Sequence, residues 1–168
     1  MKKIYVIIAI TIVLGAAIFV TWRQGLQINI SDSKKYTDEL LGFSFAYPVT
    51  YSISSFGSPD DNAGETILIQ KEGGEKGIQV LITPFDEDIV LTETRIRSDI
   101  PDLAITDVYT QKVGTRENAV QTVVFTSINS LMGKSNEAWF VYKGKLYQMS
   151  APVDVHDVFA TMLNSWEF

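Results

Sequence analysis

The sequence predicts an α+β protein: one antiparallel sheet flanked by helices as an α/β/α sandwich, placed after an N-terminal transmembrane helix. Three observations predict it. An uncharged, mostly apolar run fills Ile4 to Trp22. Later segments alternate with the period of a strand and are joined by glycine-containing turns, which makes neighbouring strands antiparallel. Two of those strands are apolar on both parities, and two other segments carry helical spacing. A sheet that is apolar on both sides has to be covered on both sides.

The 19 residues from Ile4 to Trp22 lie between Lys3 and Arg23. At a helical rise of about 1.5 Å per residue they span roughly 28 Å, close to the hydrocarbon core of a bilayer. Lys2 and Lys3 precede the run and only Arg23 follows it closely, so the positive-inside bias keeps the N-terminus cytoplasmic and exports the rest. Trp22 and Tyr5 stand where interfacial aromatics belong. A cleaved signal peptide is the competing reading, with Gly15 and Ala17 as small residues after an apolar stretch. Cleavage there would expose Ile18-Phe19-Val20 as an apolar terminus, so a retained anchor is the better design. The chain has no cysteine, which closes the lipoprotein route, disulfides, thiolate metal sites and cysteine nucleophiles together. The chain thus divides into an anchor over 1–23, a tether over 24–35 and an extracytoplasmic domain over 36–168.

The tether is polar, although Leu26, Ile28 and Ile30 alternate. In the domain, Phe43, Phe45 and Tyr47 alternate up to Pro48, a half-buried strand that ends at a proline. Tyr51 and Ile53 suggest a short partner for it. Ser54 to Glu65 reads as a loop rich in Ser, Gly, Asp and Pro. Thr66 to Gln70 and Ile78 to Thr83 are strands joined through Gly73-Gly74-Glu75-Lys76-Gly77. Thr92 to Ile100 is helical, with Ile96, Ile100 and Leu103 on one side, and Pro101 stops it. Ile105 to Val113 and Ala119 to Asn129 are strands. In the latter, Val120, Val124 and Ile128 oppose Val123 and Phe125. In Glu137 to Lys143, Phe140 and Tyr142 oppose Trp139 and Val141. Lys143-Gly144-Lys145 turns into Leu146 to Ala151. Asp154 is placed to cap a last helix with Val155, Val158, Phe159, Met162 and Leu163 on its apolar side. Trp166 and Phe168 pack back onto the core.

The part beyond Arg23 holds 11 basic and 20 acidic residues, a net charge of −9. Nucleic-acid binding needs clustered Lys and Arg, and this balance excludes it. It also opposes lying flat on an anionic leaflet.

The stretch Gly42-Phe43-Ser44-Phe45-Ala46-Tyr47-Pro48 resembles the opening strand of the PsbP-like (Mog1/PsbP) family. The closing order is also similar: an aromatic strand, a Gly turn, Leu146-Tyr147, and a helix running into Asn164-Ser165-Trp166-Glu167-Phe168. The likeness covers roughly 36–168 and rests on structural motifs. It implies an antiparallel sheet between helices and a binding or assembly module without a catalytic centre. The plant members support the oxygen-evolving side of photosystem II, and fold-level similarity does not transfer that role.

Residues that could carry chemistry are few. His156 is the only histidine, with Asp154 and Asp157 beside it, and no nucleophile elbow exists to complete a triad. One His without Cys cannot make the usual zinc ligand set. Gly133-Lys134-Ser135 ends like a phosphate loop, but Ile128 stands where its first Gly belongs and a strand follows. Asp60-Asp61-Asn62 and Asp86-Glu87-Asp88 are acidic enough to attract a hard cation, yet neither fits a calcium loop and both read as solvated charges. A spatial pair of carboxylates is not visible in a sequence. Phe56 stands out as an apolar ring inside a polar loop, either folded back or in contact with a partner. The reading is a non-enzymatic, membrane-tethered binding or scaffolding module of the cell envelope. It has no catalytic, metal or cofactor residues, its partner is an unidentified envelope protein or ligand, and Phe56 is the first candidate contact. The alternatives are an envelope hydrolase with a spatial acid pair and a carrier of an apolar ligand.

Overall fold

The alternation resolves into strands β1 (Ser33–Asp38), β2 (Phe43–Pro48), β3 (Tyr51–Gly57), β4 (Glu65–Lys71) and β5 (Gly77–Pro84), then helix α1 (Glu93–Asp99). Strands β6 (Ala104–Val113), β7 (Val120–Asn129), β8 (Gly133–Tyr142) and β9 (Lys145–Pro152) follow, then a 3-10 turn and helix α2 (His156–Asn164). The computed structural model describes residues 32–57, 64–71, 73–74, 76–129 and 133–168. The expected anchor over 4–22 lies outside them, and no helix among the described residues is long and apolar enough to cross a membrane.

Every strand pairing is antiparallel, and seven strands form one sheet in the order β3-β4-β5-β9-β8-β7-β6. The β8–β9 hairpin shows why the sequence folds this way. Lys143 (φ 47°) and Gly144 (φ 71°) both take positive φ, the two-residue turn whose twist matches that of the flanking strands.

The two-faced strands divide the core in two. On the inner face, Ile67, Ile69, Ile78, Val80, Val124, Phe140, Tyr147 and Met149 pack under α2 and the separate β1–β2 pair. Trp166 stacks on Phe43 at 4.8 Å and on Phe45 at 5.2 Å, and meets Phe140 edge-on at 5.4 Å. The main chain after α2 joins β2, since Ser44 and Glu167 exchange two backbone hydrogen bonds of 2.9 Å. The Gly114 N–H also donates to the Trp166 carbonyl at 3.0 Å, and a Cβ on Gly114 would strike the Asn118 carbonyl and the Phe168 ring. On the outer face, Val123, Phe125, Trp139 and Ile105 meet Leu91 and Ile96 from the α1 segment.

Five expectations change. The two helices, of seven and nine residues, do not form the helical layers of a full α/β/α sandwich. The inner face is covered by a strand pair as well as by α2. β1 begins at Ser33, inside the stretch read as tether, because Tyr36 supplies an aromatic partner for Phe45 at 5.1 Å. The loop read as starting at Ser54 is strand as far as Gly57, and β3 pairs with β4 instead of β2. Asp154 caps no helix and lies in the 3-10 turn, where it binds the Lys76 ammonium at 2.5 Å. Thr92 does cap α1, its hydroxyl oxygen accepting from the Arg95 N–H at 3.2 Å.

Phe159 is 1 % exposed on α2, whereas His156 lies exposed on its first turn. Phe159→Ala should lower the stability of the full chain in detergent by about 3–5 kcal/mol in urea unfolding, from lost transfer energy and a residual cavity. His156→Ala should stay within about 0.5 kcal/mol of the parent. Comparable losses from both would place His156 in the core.

Candidate functional site

Directly paired residues share a face, so the register orders the outer face into rows. One row runs Ser54, Leu68, Gln79, Ser150, Glu137 and Phe125 from β3 to β7. The next runs Phe56, Thr66, Leu81, Gln148, Trp139 and Val123. The α1 segment covers the β6–β8 end of these rows. At the β3–β4–β5–β9 end the same rows are half-buried or exposed, and they hold Ser, Gln, Thr, Leu and Phe with no charged side chain. Phe56 is 57 % exposed there. It stands in an edge strand, not at the tip of a loop, and it does not fold back into the core.

Glu137 marks the boundary between the covered and open halves and is only 8 % exposed. One carboxylate oxygen accepts from the Ser127 hydroxyl at 2.8 Å and the Ser150 hydroxyl at 3.0 Å, and the other from the Trp139 indole N–H at 3.3 Å. All three donors are neutral. Burial raises its pKa above the usual carboxylate value, and the three hydrogen bonds offset only part of that rise. The group therefore ties β7, β8 and β9 together at the margin of the open surface. The sequence carried one signal for it: an acid on the same parity as Trp139, directly before the apolar run Ala138 to Tyr142.

Beside Ser150, Leu68, Gln70, Gln79 and Pro152 line a recess of about 610 Å³, with Lys76, Lys134 and Asp154 at its rim. The recess is open to solvent, unlike the dry cavity that a carrier of apolar ligands needs.

A second buried carboxylate, Glu65, lies on the inner face, because it pairs with Ile82 of that core. The Ser55 hydroxyl donates to one of its oxygens, and the other has no partner among the described residues. Burial, together with the charges of Asp38 and Glu65, pushes the nearby Tyr36 hydroxyl up to about 12. Glu65 and Glu137 occupy opposite faces of the sheet and do not converge on one substrate.

The remaining sequence candidates are not brought together. Glu87 is held by Arg95 through two hydrogen bonds of 2.6 and 2.7 Å, which lower its pKa. Gly133-Lys134-Ser135 opens β8. The His156 ring lies 6.4 Å from that of Phe159. Asp60-Asp61-Asn62 lies outside the described residues. Among the described residues no three His, Cys, Asp or Glu side chains gather around a possible ion position.

No model of a known protein family matches the sequence, and no curated protein matches it. The structure is similar to the solution structure of cyanobacterial PsbP (CyanoP) from Synechocystis sp. PCC 6803. The TM-score is 0.55 at 14 % sequence identity, over 83 % of this chain and 94 % of that one. The fold is PsbP-like. At that identity the likeness reaches the fold alone, as the resemblance read from Gly42–Pro48 and the closing helix implied. In this PsbP-like chain Glu137 and the open half-face have to be judged on their own geometry.

The raised pKa of Glu137 has a signed consequence. Between the unfolded carboxyl value and the higher folded one, the native state holds more protons than the unfolded state, so this group lowers stability as pH rises through that window. Glu137→Gln should remove that component. The difference in unfolding free energy between parent and variant should then fall from about pH 4 upward and level off above the folded pKa. A pH-independent difference would mean that Glu137 titrates alike in the folded and unfolded states.

Proposed function

We propose that the protein is a non-enzymatic binding or scaffolding module that meets its partner through the open half of the outer face, with Phe56 as the first contact. The observation that carries this reading is the uncharged, uncovered surface over β3, β4, β5 and β9, with an exposed aromatic ring at its margin. A protein surface seldom leaves an exposed aromatic ring beside half-buried Leu side chains without a use for them. The PsbP-like fold fits such a role, since a rigid sheet presents the surface without further machinery. The two buried carboxylates, Glu65 and Glu137, lie on opposite faces of the sheet and do not form an acid pair with each other.

Residues 4–22 supply the anchor in this proposal, with the N-terminus cytoplasmic and the domain in the cell envelope. Because β1 starts at Ser33, the tether is residues 24–32. Fully extended it reaches roughly 30 Å, at about 3.3–3.6 Å per residue. That confines the partner to the membrane surface or the near envelope.

Phe56→Ala tests the reading. The variant should recover less partner than the parent in a crosslinked pull-down from membranes, at an unchanged melting temperature. A fall in melting temperature with full partner recovery would make Phe56 a packing residue and remove this face from function.

A further inference from the structure

The two edges of the sheet are unequal. β6 is protected in the usual ways: its register shifts between Thr106 and Tyr109, Asp107 sits at φ 53° in that irregularity, and Lys112 adds a charge. β3, at the other edge, carries no charge from Tyr51 to Gly57, no proline and no bulge in its pairing with β4. Among the described residues β3 has no strand on its outer side. Alternate residues of such a strand turn their N–H and C=O groups outward, ready to pair with another strand.

A recess of about 310 Å³ lies against the first half of this edge; Lys34, Tyr47, Thr50, Tyr51 and Ser52 line it beside Val49 and Ile53, and the surface it offers is mostly polar. Lys71 pairs with Tyr51 across β4, so it stands at the same end. Both lysines are exposed and form no ion pair among the described residues, in a chain of net charge −6. The nearby Asp154 is engaged by Lys76.

We infer that β3 takes up an extended peptide segment of a partner protein as an eighth strand, with a polar side chain in the Tyr47–Ile53 recess and an acidic residue at Lys34 and Lys71. Backbone pairing supplies affinity along an edge of this kind, and the recess and the two cations supply selectivity and register. A second copy of this chain fits less well, because its own β3 offers no carboxylate to the two lysines. The inference rests on the binding-module reading and names the class of partner for it.

The probe is a library of random peptides of about ten residues, selected on the full chain in detergent micelles. Enriched sequences should be free of central proline and contain Asp or Glu at one end. Lys34→Glu combined with Lys71→Glu should weaken a synthesised peptide roughly tenfold without changing the melting temperature. N-methylation of alternate peptide amides should abolish binding in one phase and be tolerated in the other, since only one set faces β3. The inference is overturned by absence of enrichment, by equal binding to the lysine variant, or by indifference to methylation in both phases. Dimers in sedimentation that disappear in a Ser54→Pro variant would assign the edge to a second copy instead. If Phe56→Ala still reduces partner recovery while any of these contrary results holds, the binding-module reading stands and strand addition falls.

Discussion

The Trp166 ring stacks on Phe43 and Phe45, meets Phe140 edge-on, and so joins three parts that are distant in sequence: the β1–β2 pair, the main sheet and the segment after α2. Each part alone would leave an apolar surface in water. The β1–β2 pair is a two-stranded unit, which is marginal by itself, and α2 has nine residues, too few for an isolated helix. Their order comes from this contact. The Ser44–Glu167 backbone pair and the Gly114–Trp166 hydrogen bond then hold the tryptophan at the height the stack requires.

This arrangement decides which surfaces remain open. The short connections place α2 and the β1–β2 pair on the inner face, so only the α1 segment is left for the outer one. With seven residues, α1 covers Val123, Phe125 and Trp139 and reaches no further. The strands beyond the cover change composition where it stops, from Val, Phe and Trp to Ser, Gln and Thr. Glu137 sits at that line, buried enough to be satisfied by three neutral donors and close enough to the open side to share Ser150 with the recess. The open half-face and the free edge of β3 are therefore two results of one unequal distribution of cover.

Much of this was legible in the sequence because it is local. The alternation Phe43-Ser44-Phe45-Ala46-Tyr47, the Lys143-Gly144 turn and the two-faced pattern around Trp139 each carry their strand within a few residues, and the PsbP-like resemblance rested on those same stretches. What escaped is what depends on partners far along the chain. Ser33 to Lys35 reads as tether because it holds no apolar residue, yet it pairs residue by residue with β2. Ser54 to Gly57 looks like loop because serines outnumber apolar residues, as suits a half-exposed edge strand. The bonds of Glu137 require the β7–β8–β9 register, which no short window contains. Asp154 has the residue type of a cap, but Lys76, brought near by β5, takes its carboxylate.

The central claim is that β3 presents a sheet edge with no strand paired on its outer side among the described residues. Backbone hydrogen exchange of the full chain in detergent, read residue by residue, addresses it without knowledge of any partner. The account predicts slow exchange throughout β5, β8 and β9, and in β3 an alternation of protected amides facing β4 with fast ones facing outward. Uniform protection of β3, equal to that of β5, would show that the edge is already covered and would contradict the account.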